Sequence, residues 1–510
     1  MKLSELVNVS AAVSKTRSRL KKRALLSDSL RASDASTIRL VVSYLSGVLP
    51  QGRIGLGPAM VGSVLASVEP GDAGVDLSLV DQVMTDITNT SGAGSKQRRE
   101  DLFGGLLSQV SESEQRFLAG LVLGELRQGA LEAVLVESLA DATGIDVSAI
   151  RRAVMLSADP AAVAETAFTE GLAGLSKYRL ATLSPVRPML AQPVDTMTEA
   201  IESLGRAVLQ YKLDGARIQV HREGDDVRIF TRQLNDVTER LPEIVERVRQ
   251  LPVSSVILDG EAIALRDDGR PLPFQVTMKR FGRSSQVDEM RQSLPMSDIY
   301  FDCLYLDGEE LIDRPLVERL EPLVASLPVE SRVPQIVTAD EPEAVAFLGG
   351  AFDLGHEGLM AKSTDSLYAA GNRGSDWLKI KQAHTLDLVI LAAEWGSGRR
   401  KGWLSNLHLA ARDGDDFVML GKTFKGLTDK VLKWQTEALL EREVSRDDYT
   451  VYVRPELVAE IAVSDIQQSS QYPGGMALRF ARLKRYRDDK TAAEADTIDT
   501  VRSLFAGGVS

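Results

Sequence analysis

Near the middle of the chain stands Tyr211-Lys212-Leu213-Asp214-Gly215-Ala216-Arg217. A lysine closing a run that reads as strand, followed by Asp-Gly, is suited to hold an amine against a phosphate. The lysine stem reaches, and the free amine is a nucleophile. Asp-Gly is equally an ordinary hairpin turn, so the stretch alone decides nothing. Its weight comes from an ordered series downstream. Arg217 and Arg232 flank a hairpin-like pair of strands, and Leu258-Asp259-Gly260-Glu261 sets a carboxylate at the end of an apolar strand. Phe301, in Phe301-Asp302-Cys303-Leu304-Tyr305, starts another strand; Glu357-Gly358-Leu359-Met360-Ala361-Lys362 and Trp377-Leu378-Lys379-Ile380-Lys381 come after it. Lys379 and Lys381 alternate with Ile380, so both occupy one face of a strand. Two carboxylates for Mg2+, arginines for phosphate and an aromatic for a base are the equipment of a nucleotide pocket.

The elements around these clusters divide the chain in three, which suits its 510 residues. Residues 1–185 read as all-helical. Leu25 to Leu49 and Phe117 to Val136 carry apolar residues at helical spacing, and Asp146 and Pro160 mark helix starts. Gly92 to Lys96 is a polar loop entering a helix, read as a solvated connection. Two prolines in Ser184-Pro185-Val186-Arg187-Pro188 then end the helical period. Residues 186–385 read as mixed α/β, with strands near 208–221, 226–232, 255–265, 299–306, 358–363 and 377–381, and a helix from Leu241 to Leu251. Residues 386–510 carry short strands separated by Gly-Ser-Gly and Asp-Gly-Asp turns, which predicts a small β-barrel of oligonucleotide-binding type (OB-fold).

Composition narrows the class. No apolar run reaches the roughly 18 residues of a membrane span. Met1 to Leu6 lacks an apolar signal core, so a cytoplasmic protein is expected. Cys303 is the sole cysteine, which excludes a disulfide framework and a four-cysteine zinc module. The net charge of −12 would argue against nucleic acid, but −10 of it falls in residues 186–385. The flanking regions are nearly neutral and can each present a basic face.

In order and spacing, the clusters resemble the ATP-dependent DNA ligases and the wider superfamily of covalent nucleotidyltransferases, which includes mRNA capping enzymes and RNA ligases. The helical third is similar to the DNA-binding domain of archaeal and eukaryotic replicative-type ligases, notably at Leu121 to Gln128. The last motif of the family is matched by Arg479 to Lys490, with Ala481 where the family usually has proline. The resemblance implies a helical DNA-binding domain over 1–185, a nucleotidyltransferase domain over 186–385 and an OB-fold over 386–510. It makes Lys212 the nucleophile that takes AMP from ATP. Attack requires a neutral amine, which neighbouring cations such as Lys379 and Lys381 would favour. It makes Glu261 and Glu357 the carboxylates that hold Mg2+ or Mn2+, with Glu261 also near the ribose. Arg217 and Arg232 become ribose and phosphate contacts, and Arg373, Lys379 and Lys381 phosphate contacts. Phe301 becomes the ring stacked on adenine, and Gln210 occupies a position whose backbone reads the adenine edge. Arg479, Arg482, Arg485, Asp489 and Lys490 belong to an element that swings over the nucleotide during the first step and orients pyrophosphate.

The activity implied is the sealing of nicks in duplex DNA, through a lysyl-AMP and then a DNA-adenylate, in replication, recombination or repair. Capping enzymes and RNA ligases generally lack the long helical domain, and an NAD-using ligase would need the zinc cysteines. A non-catalytic DNA-end scaffold would have no use for Lys212, Glu261, Glu357 and Lys379 together. A monomer is expected. The absence of an N-terminal extension and the Ala-, Val- and Asp-rich composition point to a bacterium.

Overall fold

The computed structural model describes residues 1–72, 74–126, 132–282, 287–369, 374–381 and 384–507. Among the described residues, eleven helices fill the stretch from Leu3 to Leu175. Their ends follow local chemistry. The Asp146 side chain accepts from Ser148 N ahead of Val147–Ser157, and Asp159 accepts from Ala161 N and Ala162 N ahead of Pro160–Thr169. Glu112–Leu123 stops at Gly124, whose φ of 67° is a left-handed cap. The apolar stretch from Phe117 to Val136 is divided between Glu112–Leu123 and Glu132–Thr143; Arg127 and Gln128, the end of the family-like segment, lie outside the described residues. The Gly92 to Lys96 loop feeds Ser95–Leu107 from Gly94, at φ 73°.

The helical region packs directly on the middle region. Met155, Leu156 and Leu180 share a buried cluster with Val186, Met189, Ile257, Leu304, Tyr368 and Trp377. Burying each such aliphatic side chain contributes about 1.5–3 kcal/mol, so the junction is a packed interface. Arg152 adds an ion pair to Asp313, with Nη2 to Oδ2 at 2.7 Å.

The middle region is built from two five-stranded sheets. One has the order β1-β10-β9-β2-β8, from β1 (Gln192–Pro193), β2 (Ala207–Lys212), β8 (Gln335–Thr338), β9 (Gly358–Ser363) and β10 (Trp377–Lys381). The other has the order β4-β3-β5-β6-β7, from β3 (Ala216–Glu223), β4 (Asp226–Thr231), β5 (Ser255–Ile263), β6 (Ser297–Leu306) and β7 (Glu309–Glu310). The period-two pattern sorts their faces. Leu209, Leu359, Ala361, Leu378 and Ile380 pack against Met197–Leu204 and Glu341–Asp353, while Gln210, Lys212, Met360, Lys362, Lys379 and Lys381 face a cleft. On the second sheet Ile218, Val220, Val256 and Leu258 pack around Pro242–Arg249, leaving Arg217 and Glu261 to the same cleft.

The strand region near 208–221, where one alternating run closes at Lys212 and a second begins at Arg217, is two strands in different sheets. Residues 213–215 carry the chain across. Gly215 is required there by space, because a Cβ would stand 2.6 Å from Ala262 O and 2.7 Å from Glu261 Cγ.

The last region is strand-rich. Its seven-stranded sheet runs β13-β12-β11-β15-β14, with β16 pairing β11 and β19. These are β11 (His384–Trp395), β12 (Leu404–Asp413), β13 (Asp416–Thr423), β14 (Glu443–Arg446), β15 (Thr450–Val453), β16 (Val458–Val463) and β19 (Arg482–Tyr486). Irregular register along β11 lets that long strand serve three neighbours, which curls the sheet around its own core. A ribbon of β17 (Asp465–Gln468) and β18 (Met476–Arg479) touches the middle region, where Gln275 Nε2 donates to Gln467 Oε1 at 3.2 Å. Among the described residues, no helix is long and apolar enough to cross a membrane.

Candidate active site

Residues from both sheets of the middle region meet in one cleft of about 920 Å³, large enough for a mononucleotide. Lys212 enters from the end of β2, Arg217 from β3, Glu261 from β5, Phe301 from β6, Glu357 from the turn before β9, and Lys379 and Lys381 from β10. Arg232 is exposed at the rim. Arg373 lies outside the described residues.

Glu357 is the hub for the lysines. Lys212 Nζ forms an ion pair with it, and Lys381 Nζ donates to Oε1 at 2.8 Å. Burial would raise the Glu357 carboxyl, but Lys212 and Lys381 outweigh burial and hold it well below the usual carboxylate range. Asp214 moves the opposite way, raised by burial and by the neighbouring Glu357. Burial also pushes Glu261 up to about 7, against the pull of Lys212 and Arg217. Among the described residues, no three His, Cys, Asp or Glu side chains cluster to hold a metal unaided. Glu261 and Glu357 do line the same cleft as an all-oxygen pair. That pair fits a hard divalent cation drawing its other ligands from phosphates and water.

The other end of the cleft is shaped for a flat ring. Phe301 stands at 6.3 Å from Trp377, ring to ring and edge-on. Gln210 is buried; its Nε2 donates to Phe301 O at 3.2 Å and to Gln335 Oε1 at 2.8 Å. That arrangement fixes the amide, and its Oε1 accepts no hydrogen bond from the described residues. The side chain of Gln210, a residue that lines the cleft, thus carries a buried acceptor without a partner among the described residues.

Sequence reasoning passed over three side chains here. Lys362 is 1% exposed, with Nζ 3.9 Å from the Trp377 ring centroid and 4.5 Å from that of Phe301. Burial lowers its pKa to about 7, against Asp302 and Asp259. Its sequence signal was its phase, two residues after Met360 on the same strand face. Asp259 is buried and grips Arg217 with both oxygens along one edge, Nε to Oδ1 at 3.0 Å and Nη2 to Oδ2 at 2.6 Å. A carboxylate inside an apolar strand run is a signal that it has a partner. Tyr368 has no such signal.

From the strand-rich region only part of the basic cluster reaches the cleft. Arg479 and Phe480 line it, with Arg479 Nη1 3.7 Å from Asp214 Oδ2 and its guanidinium 5.0 Å from the Phe274 ring centroid. Phe480, at φ 55°, makes the turn ahead of Ala481. Arg482 is exposed on β19. Arg485 pairs with Glu460 at 2.8 Å, Asp489 with Arg487 at 2.7 Å and Lys490 with Asp387 at 2.6 Å, all within the strand-rich region.

Comparison with known proteins bears on what such a cleft does. Residues 188–381 match the family described as ATP dependent DNA ligase domain, 400–490 the ATP dependent DNA ligase C terminal region, and 71–140 the DNA ligase N terminus. The chain is 55% identical over 514 residues to a probable DNA ligase of Anaeromyxobacter sp. (strain Fw109-5), covering 100% of this chain and 99% of that one. It is 50% identical to a probable DNA ligase of Saccharopolyspora erythraea, covering 98% of each. The solved structure Pmar-Lig_PreS3 shares the fold, with a TM-score of 0.63 at 17% identity over 94% of this chain and 99% of that chain.

Proposed function

The chain belongs to the ATP-dependent DNA ligases, and from that membership we propose that Lys212 is the residue that carries AMP, with the cleft around it built for that transfer. Enzymes of this family seal nicks in DNA with ATP, by way of an enzyme adenylate and a DNA adenylate. The observation that carries the assignment is the convergence of Lys212, Lys379, Lys381, Arg217, Glu261 and Glu357 on one cleft from two sheets.

The reaction runs through three transfers. The Lys212 amine attacks the α-phosphorus of ATP; a P–N bond forms, the α–β P–O bond breaks and pyrophosphate leaves. The 5′-phosphate at the nick then takes the AMP, breaking the P–N bond and freeing Lys212. Last, the 3′-hydroxyl attacks the 5′-phosphorus, loses its proton and expels AMP. Each is an in-line displacement, so alignment and charge neutralisation carry the rate. Lys379, Lys381 and Arg217 neutralise phosphate charge, and Arg232 and Arg373 extend that role toward the ribose and phosphates. Glu261 and Glu357 would hold the divalent cation, Mg2+ or Mn2+, which supplies further neutralisation of the triphosphate. Before attack, Lys212 must leave its pairing with Glu357.

At the ring end, Phe301 stacks on the base and the Gln210 carbonyl accepts from the adenine amino group, which guanine replaces with an acceptor. Lys362 closes the floor. Arg479 belongs to the lid that meets the nucleotide in the first step, and Arg482, Arg485, Asp489 and Lys490 shape or join that lid as it moves. We take the three units as 1–185, 186–385 and 386–510, acting as a cytoplasmic monomer on nicked duplex DNA.

Protease digestion and mass spectrometry after incubation with ATP and Mg2+ test the assignment. AMP is expected on the peptide that contains Lys212. AMP on another lysine would overturn it.

A further inference from the structure

Arg217 does not reach the cleft as a loose side chain. Three of its five N–H groups are spent on the protein: Nε and Nη2 on Asp259, and Nη1 on Met189 O at 2.7 Å. Among the described residues, one N–H on each terminal nitrogen of Arg217 has no hydrogen-bond partner. A carboxylate held along one edge fixes the plane of a guanidinium, and so fixes where the remaining donors point.

The partners of Arg217 are themselves held by one group. Tyr368 is 2% exposed, and its hydroxyl donates to Asp259 Oδ2 at 2.7 Å while accepting from Met189 N at 3.3 Å. The circuit closes on itself, from Tyr368 to Asp259, to Arg217, to Met189 and back. Its ring is anchored edge-on against Trp377 at 6.1 Å, and its backbone N–H by Ile312 O at 2.9 Å. Phenylalanine would fill the same volume, so packing does not call for the hydroxyl. A buried hydroxyl must be bonded to be tolerated, and here both of its bonds go to groups that touch Arg217.

Met189 gives the circuit a second consequence. Its carbonyl and N–H are both engaged, and the next two residues, Leu190 and Ala191, line the cleft. Upstream, the Gln219 side chain bonds Val186 at both N, 2.8 Å, and O, 3.2 Å. The segment leaving the helical region is thereby clipped along the same face of β3 that carries Arg217.

We propose that Tyr368 is a positioning residue for adenylate transfer, acting through Asp259 and Met189 to fix the Arg217 guanidinium in the cleft. The proposal rests on the assignment of Arg217 as a nucleotide contact. The alternative is a core staple with no bearing on the chemistry.

A double-mutant cycle separates the two. The single-turnover rate of lysyl-AMP formation, per active site and at saturating ATP, is measured for wild type, Tyr368→Phe, Arg217→Lys and the double variant, with melting temperatures alongside. Y368F is expected to lower the rate roughly tenfold, the scale of one hydrogen bond to a charged group. In the R217K background the same change is expected to cost less than about twofold, because its target is gone. A full multiplicative loss in the double variant, or an unchanged rate per site in Y368F, would overturn the proposal alone. An unchanged rate in R217K would overturn the Arg217 assignment and the proposal with it. If Y368F melts more than roughly 5 °C early, the cycle is repeated at a temperature where all four proteins are fully folded, and the rates per active site decide by the same criteria.

Discussion

Glu357 is tied to Lys212 twice: its backbone N–H donates to Lys212 O at 3.1 Å, and its carboxylate is ion-paired with the Lys212 amine. The backbone bond continues the β2–β9 ladder, which pairs Lys212 with Gly358. The distance between nucleophile and carboxylate is therefore set by sheet register. Gly358 is needed at this point, since a Cβ there would fall 2.1 Å from Ile380 O.

Replacing Glu357 with glutamine keeps the shape and removes the charge shared by Lys212 and Lys381. The rate of lysyl-AMP formation should fall about a hundredfold, the scale of two charge-assisted contacts. The concentration of Mg2+ giving half the maximal rate should rise as well. A single-turnover rate within about threefold of wild type would contradict the role given to Glu357.

The Gln210 carbonyl makes a prediction about base choice. Gln210→Leu removes the acceptor and should lower kcat/KM for ATP roughly tenfold, while changing that for GTP far less. The measurement is the ratio of lysyl-nucleotide formation from the two triphosphates. An unchanged ratio would remove the side chain from base recognition and leave only its backbone.

Lys362 should make stability depend on pH in a defined direction. Its folded pKa of about 7 lies below the ordinary lysine value of 10.5. Between those values the unfolded chain binds the extra proton, so stability rises with pH across that window. The cost of burying the charge is complete below about pH 7 and is relieved toward pH 10. Lys362→Met removes it. The variant's gain in Tm over wild type should be largest below pH 7 and shrink as pH rises. A difference that stays constant from about pH 6 to 9.5 would show that Lys362 is not titrating as described.

Much of this site was legible because strands keep a period of two. Lys379-Ile380-Lys381 announced that both lysines share a face, and β10 confirms that they face the cleft together. Glu261, closing an apolar run, announced a carboxylate that needs partners, and the structure sets it among Lys212 and Arg217. What stayed hidden depends on tertiary placement. The two runs that meet around Asp214-Gly215 both read as strand, and only the sheet order, with Gly215 packed on Ala262 and Glu261, shows that the chain changes sheets there. Tyr368 contacts Asp259 across 109 positions, and nothing local to residue 368 hints at that partner. The helices Met197–Leu204, Leu316–Ser326 and Glu341–Asp353 were likewise unmarked, although two of them cover the sheet that carries Lys212.

The most direct test uses Lys212→Ala in two reactions side by side. In the first, wild type and variant are incubated with Mg2+ and ATP labelled at the α-phosphate, and acid-labile label on the chain is measured. In the second, both receive a nicked duplex already carrying AMP on its 5′-phosphate, which bypasses the lysine. Lys212 as the AMP carrier requires that the variant take no label, yet still seal the pre-adenylated nick. Label retained by Lys212→Ala would contradict it outright, because the AMP would then reside on another residue.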